Sequence, residues 1–143
     1  MTDVLYAKDL LRLAALATGA GRLSPCDAEG RASNPVCGDR VSVTLTLDRE
    51  GRISALAHET HACVLAQASA AILGAQIPGS SAEAVARLRD KVAAMLRGES
   101  APPPPFGDYA ALLGAAAHRN RHTCVLLPID AVLDALDPGN AAA

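Results

Sequence analysis

The sequence predicts an α+β fold, in which a small antiparallel sheet is packed on one side by helices. Over residues 41–47, Val and Leu alternate with Ser and Thr, which is typical of a half-buried strand. Residues 48–51 have the composition of a turn, and a returning strand is expected from residue 53 to about residue 59. The remaining long segments are rich in Ala and Leu and supply the helices.

The composition indicates one domain over residues 1–143, long enough to bury a core. Half of the residues are hydrophobic but only 2% are aromatic, so we expect close helix packing through Ala, Leu and Val. A net charge of −2 gives no large electrostatic field that would attract nucleic acid or an anionic membrane, and neither partner is expected. Charged residues interrupt the amino-terminal segment, which favours a cytoplasmic protein over an exported one. The four cysteines are then reduced and suited to ligation or catalysis.

In the first half of the chain, an amphipathic helix is expected to end near residue 18, before two closely spaced glycines. Residues 23–35 are rich in Ser, Pro, Gly and Asn and predict a loop ahead of the hairpin. After the hairpin, a small and apolar stretch predicts a buried helix that begins near Cys63 and ends at Gly74.

In the second half, Ser80 and Glu83 have capping-box spacing and predict the start of a helix. One side of that helix is apolar and comprises Val85, Leu88, Val92 and Met95. Residues 108–117 predict another Ala-rich helix, and residues 118–124 a polar loop. Residues 127–136 predict the last helix, with Pro128 in its first turn.

A thiol and a carboxylate lie two positions apart at the start of the hairpin, as Cys37 and Asp39. If this segment is extended, both side chains project to the same face. Gly38 between them would leave the approach open. A soft and a hard ligand are therefore expected side by side.

Two further cysteines are expected at the ends of secondary-structure elements. Cys63 follows a strand and precedes a helix, where the helix dipole favours its thiolate. Cys124 is expected just before the last helix, with Arg119 and Arg121 nearby, which again favours a thiolate. Three thiols and the carboxylate of Asp39 could then converge on one metal ion or cluster.

The remaining candidate ligands are weaker. Cys26 lies in the predicted loop and is expected to be a bystander thiol. His58 and His61 do not form the H-E-x-x-H zinc motif, since residue 62 is Ala, and both are expected to face solvent or cap an element. A contact of His61 with the cysteine site is the alternative, while His122 is expected in a solvated loop.

Three segments carry a resemblance to a known family: the motif N-P-V-C-G-D at residues 34–39, the cysteine at residue 63 that opens a helix, and the segment C-V-L-L-P-I-D-A-V-L from Cys124. Together they resemble the NifU/IscU-type iron–sulfur cluster assembly scaffold family. The likeness extends from Leu5 over nearly the whole chain. The long interval between Cys63 and Cys124, and Arg121 three positions before Cys124, resemble the SufU-like branch. The resemblance implies a SufE/IscU-like fold, with a three-stranded antiparallel sheet packed by about five helices.

The resemblance also implies a function as a scaffold rather than a classical enzyme. Cys37, Cys63 and Cys124 would receive sulfur from a cysteine desulfurase and hold a labile cluster, expected to be 2Fe–2S, or Zn²⁺. Asp39 would complete the ligand shell, and recipient apo iron–sulfur proteins or carriers would take the cluster. Cys37 and Cys124 are the candidate sulfur acceptors. Arg121 would pair with Asp39 when the metal is absent.

The donor set agrees with this function, because thiolates suit both iron–sulfur clusters and zinc. A carboxylate in place of a fourth thiolate makes one bond more exchangeable, as a transfer protein requires. Two alternatives remain. The chain could be a zinc-dependent, SufU-like sulfurtransferase that accepts persulfide sulfur, or an interaction module with structural zinc. Asp39 counts against the second, since closed structural zinc sites use Cys and His.

Overall fold

The computed structural model describes residues 2–140, with side chains from residue 8 to residue 139. Its elements are the helix α1 (Thr2–Leu16), the strands β1 (Ala28–Asn34), β2 (Asp39–Leu47) and β3 (Ile53–His61), the helices α2 (Val64–Gln76) and α3 (Ala82–Leu96), a 3₁₀ helix (Gly107–Ala117), the helix α4 (Arg119–Leu136) and a short 3₁₀ turn (Pro138–Asn140). The three strands form one antiparallel sheet in the order β1–β2–β3. The expected α+β fold, with its three strands and about five helices, is confirmed.

The hairpin register determines which residues meet at one end of the sheet. Asn34 pairs with Asp39 across the β1–β2 turn, and Arg40 pairs with His61 across β2 and β3. Residues just beyond His61 therefore continue alongside the start of β2. This is why Cys63, two residues further on, lies next to Asp39.

The strand β1 lies within residues 23–35, where the sequence predicts a loop, so this prediction is wrong. Its sequence, A-E-G-R-A-S-N, has weak strand propensity, so pairing with β2 and packing against α4 determine its structure. Gly30 makes this packing possible, because a Cβ atom there would lie 2.2 Å from the carbonyl oxygen of Ala131. Gly30, which in the sequence suggests a loop, is therefore required because the backbones of β1 and α4 are in contact there.

The helices cover the sheet and one another. Helix α4 packs against β1 and β2, α2 packs against β3, and α3 and the 3₁₀ helix pack against α4. The predicted apolar side of α3 is buried, at Val85, Leu88, Val92 and Met95. The helix cap is Ser81 rather than Ser80, since the Ser81 hydroxyl accepts a hydrogen bond from the N–H of Ala84 at 3.2 Å. No helix in the described part of the chain is both long and apolar enough to cross a membrane.

The carboxy-terminal region differs most from what the sequence predicts. Residues 107–117 form a 3₁₀ helix, and residues 118–124 are not a loop, because α4 begins at Arg119. The exposed first turn of α4 carries Arg, Asn and His side chains, whose polarity resembles that of a loop. Pro128 consequently lies inside the helix instead of in its first turn, and Cys124 is a helical residue.

Candidate metal centre

Cys37 lies in the tight turn between β1 and β2. The side-chain oxygen of Asn34 accepts a hydrogen bond from the N–H of Val36 at 3.1 Å, and its carbonyl oxygen accepts one from Gly38 at 2.8 Å. Gly38 has φ +78°, a conformation that favours glycine. The condition that Cys37–Asp39 is extended therefore holds only for Asp39, because Cys37 and Gly38 are turn residues. The turn exposes the thiol of Cys37 and places Asp39 at the first position of β2.

Asp39 links three elements through one carboxylate oxygen. Its Oδ2 atom accepts a hydrogen bond from the backbone N–H of Cys63 at 3.2 Å. The same atom lies 3.6 Å from the sulfur of Cys124, whose S–H group donates to it. The half-buried carboxylate therefore stands where β2, α2 and α4 meet.

Cys63 is the N-cap residue of α2, with φ −65° and ψ 169°, as the sequence predicts. Its side chain does not cap the helix, so the thiol remains available to the site. The first-turn N–H groups of a helix favour negative charge, and one of the groups at this end is bonded to Asp39. The N-terminal end of α2 is thus suited to anionic ligands.

Cys124 is buried in the second turn of α4. Burial first, and then the neighbouring Cys63 and Asp39, raise the pKa of the Cys124 thiol to about 12. The predicted preference for a thiolate at Cys124 was therefore wrong. That prediction placed Cys124 in an open loop near Arg119 and Arg121, whereas both arginines are exposed and the thiol faces inward.

Ligand atoms of Cys37, Asp39 and Cys124 all lie within 4.8 Å of one another. In a tetrahedral zinc site, two thiolate sulfurs are about 3.8 Å apart. Small side-chain rotations would therefore close these three donors around an ion. The sulfur of Cys63 is outside this group, although its thiol interacts with Cys124. Three of the four predicted ligands, Cys37, Asp39 and Cys124, are thus together, and the fourth, Cys63, is next to them.

Arg121 does not form the expected ion pair with Asp39 within residues 8–139, where Asp39 contacts Cys63 and Cys124 instead. Arg121 lines a cavity of about 490 Å³, whose other walls include Leu10 and Val64.

The other candidates are outside the donor group. His58 is buried, so of its two expected placements, facing solvent or capping an element, the first is excluded. His61 is exposed, and His122 lies in α4, with its Nε2 3.0 Å from the carbonyl oxygen of Ala116. Cys26 is a half-buried free thiol that is not part of the donor group. The role of Asn34 in shaping the turn was missed, although an Asn-Pro pair is itself a turn signal.

The chain matches the family model of the NifU-like N-terminal domain over residues 5–124. The iron–sulfur cluster assembly scaffold protein IscU of Streptococcus pyogenes serotype M1 is 30% identical over 105 residues, which cover 73% of this chain. The match covers 65% of that relative, which is less than two thirds of its length.

Two solved structures are similar over almost their full length. The N-terminal part of a NifU-like protein from Brucella abortus has a TM-score of 0.86 at 32% identity, covering 94% of each chain. The SufU protein of Fervidobacterium islandicum has a TM-score of 0.82, covering 96% of this chain and 100% of its own, and at 21% identity it shows the fold alone. Since the family model spans most of the sequence, this chain belongs to the NifU-like N-terminal domain family of the NifU/IscU type.

Proposed function

We propose that this protein is a scaffold that receives sulfur from a cysteine desulfurase and assembles a labile 2Fe–2S cluster for transfer to apo-proteins or carriers. The observation that carries the proposal is the convergence of Cys37, Asp39 and Cys124 within 4.8 Å. Membership of the family supports the same function. The four free thiols are suited to a reducing compartment such as the cytoplasm.

The burial of the ligands suits a cluster that is loaded and then released. Cys37 is exposed in its turn, while Cys124 is buried in α4 and Asp39 is half-buried between them. A cluster bound here would be buried on the side of Cys124 and accessible to a partner protein on the side of Cys37. Because the ligands come from a turn, a strand and a helix, a small relative movement would loosen the bonds.

Cys37 is the better of the two candidate sulfur acceptors. Its thiol is exposed, whereas the thiol of Cys124 is buried and its pKa is raised to about 12. In the transfer, the thiolate of Cys37 attacks the outer sulfur of the desulfurase persulfide. A new S–S bond forms on Cys37, the original S–S bond breaks, and the desulfurase cysteine leaves as a thiolate. The exchange needs no external oxidant or reductant.

A second candidate is a zinc-dependent sulfurtransferase at the same site. The observation that favours it is the position of the Cys63 sulfur outside the three-donor group. Three donors that hold an ion would leave a fourth position where a thiol can bind and depart. A purely structural zinc module is disfavoured by Asp39 and by the exposed Cys37.

Purification without oxygen, followed by iron, sulfide and zinc analysis, tests these functions. Incubation with a cysteine desulfurase, cysteine, ferrous iron and a dithiol reductant, which supplies electrons to reduce the persulfide sulfur to sulfide, should give a brown protein with about two iron and two sulfide per chain. Cys37→Ser and Cys124→Ser should lose the cluster, while Cys26→Ser should keep it. Tightly held zinc with stimulation of the desulfurase would favour the sulfurtransferase. Zinc without that response, and unfolding on chelation, would leave only a structural role.

A further inference from the structure

Two fully buried hydroxyl groups meet one residue away from Cys124. The Oγ atom of Ser69, on α2, donates to the carbonyl oxygen of Val125 at 2.8 Å. The hydroxyl of Tyr109, on the 3₁₀ helix, lies 2.8 Å from the same Oγ atom. Because the single Ser69 proton is used on the carbonyl, Tyr109 is the donor in the second bond. The pair joins α2, the 3₁₀ helix and α4 inside the core.

Pro128 weakens the turn of α4 that follows Cys124. A residue in a regular helix donates its N–H to the carbonyl oxygen four positions earlier, which for position 128 is that of Cys124. Proline has no N–H group, and its ring crowds that carbonyl. The carbonyl oxygen of Cys124 therefore lacks the hydrogen bond that position 128 would donate in a regular helix.

The hydroxyl of Ser69 supplies a restraint at this same turn. It binds the carbonyl oxygen of Val125, the residue next to Cys124, from a neighbouring helix. Both Ser69 and Tyr109 have no exposed surface, in a core otherwise built mainly from Ala, Leu and Val. A satisfied polar pair at such a depth fixes one arrangement of the elements it joins.

We propose that Ser69, oriented by Tyr109, is a positioning residue that holds the sulfur of Cys124 against Asp39 for metal or cluster binding. It acts through the backbone of α4 and does not touch the metal. This inference rests on the proposed function of the site. It assigns to the hydroxyl pair a role in ligand geometry in addition to its contribution to stability.

Titration with Co²⁺ tests the proposal, because its visible absorption bands report both the thiolate ligands and the geometry around the ion. The wild-type protein should bind Co²⁺ with thiolate charge-transfer bands. Ser69→Ala should lower the affinity about tenfold, as loss of supporting interactions around a metal site does, and should shift the d–d bands. Tyr109→Phe keeps the bond to Val125 and should give a smaller change in the same direction.

Asp130→Asn is the matched control on α4. It weakens the ion pair with Arg89 that joins α3 to α4, so it disturbs the packing of the same helix away from the hydroxyl pair. This variant should be less stable but should keep the wild-type bands. If Asp130→Asn shifted the bands as much as Ser69→Ala, the proposed role would be overturned, since any loosening of α4 would have the same effect.

The remaining outcomes separate this inference from the proposed function. Wild-type protein that binds no Co²⁺ through thiolates would contradict the metal site itself. Wild-type thiolate bands that persist unchanged, with unchanged affinity, in both Ser69→Ala and Tyr109→Phe would overturn the positioning role alone. If Ser69→Ala does not fold, Tyr109→Phe decides, because it removes one oxygen atom and leaves the Ser69 hydroxyl bonded to Val125.

Discussion

The backbone N–H of Cys63 donates a hydrogen bond to the carboxylate of Asp39 at 3.2 Å. Asp39, the first residue of β2, therefore caps the N-terminal end of α2. The same oxygen accepts the S–H of Cys124. One carboxylate therefore contacts both Cys63 and Cys124, which come from distant parts of the sequence. A bound metal would replace the Cys124 proton at this junction.

The Asp39→Ala variant should hold an assembled cluster longer than the wild-type protein does. The exchangeable oxygen ligand is gone, so we expect cluster transfer to an apo-ferredoxin to slow several-fold. The metal-free variant should also lose about 1 kcal/mol of stability with the bond to the start of α2. Absorbance during transfer measures the first effect and urea unfolding the second. Asp90→Ala, at an exposed position of α3, is the control, and faster cluster loss in Asp39→Ala would contradict the argument.

The four thiols of the metal-free protein should differ in their rates of alkylation. Cys37 is exposed and should react first, whereas Cys124 is buried and has a pKa raised to about 12. Because the thiolate is the reactive form, we expect Cys37 to react at least about tenfold faster at pH 8. Peptide mass spectrometry at successive times gives each rate, with the urea-unfolded chain as the control. Equal alkylation rates for Cys37 and Cys124 in the folded protein would be inconsistent with this structure.

Gly38→Ala should destabilise the turn that presents Cys37. The backbone at Gly38 has φ +78°, which costs a residue with a side chain about 1 kcal/mol. Space is not the reason, since a Cβ atom there would meet no atom within 4 Å. Gly114→Ala is the matched control, because its site is equally open and its φ is not positive. Unfolding free energies should fall for Gly38→Ala alone, and an equal effect at both sites would refute the strain argument.

His58 should make stability depend on pH. Its Nε2 donates to the carbonyl oxygen of Thr18 at 3.0 Å, and its Nδ1 accepts from the hydroxyl of Thr60 at 2.9 Å. Burial lowers the pKa of His58 below the ordinary value of 6.5, although the bond to Thr18 opposes this shift. As the pH falls, His58 is therefore protonated in the unfolded chain at a higher pH than in the folded protein. The contribution of His58 is complete above pH 6.5 and is lost as the pH falls toward the folded-state pKa.

The measurement is urea unfolding at pH 7 and pH 5. Wild-type protein should lose more stability between these values than His58→Gln does, because Gln keeps a donor and an acceptor but does not titrate in this range. His61→Gln is the control, since His61 is exposed on the same strand. An unchanged pH dependence in His58→Gln would show that another group is responsible.

The features predicted from local pattern were largely correct. The alternation in residues 41–47 placed β2, the apolar stretch after Cys63 placed α2, and the apolar side of α3 is buried as expected. These signals depend on neighbouring residues, so a single sequence contains them. The motif around Cys37 likewise placed the thiol beside Asp39, though through a turn rather than a strand.

The features that were missed depend on contacts between distant segments. The strand β1 forms from weak strand residues because β2 and α4 flank it, with Gly30 at the point of contact. The polar start of α4 is helical, which buries Cys124 and reverses the expected direction of its pKa shift. Nothing in the local pattern around Arg121 indicates that its side chain lines a neighbouring cavity instead of meeting Asp39.

X-ray absorption at the zinc edge of the zinc-loaded protein tests the central claim most directly, which is that Cys37, Cys63, Cys124 and Asp39 surround one ion. We predict three sulfur neighbours at about 2.3 Å and one oxygen at about 2.0 Å. Cys124→Ser should remove one sulfur from this shell, and Cys26→Ser should leave it unchanged. A shell made only of nitrogen and oxygen, or one that Cys124→Ser does not alter, would contradict the account.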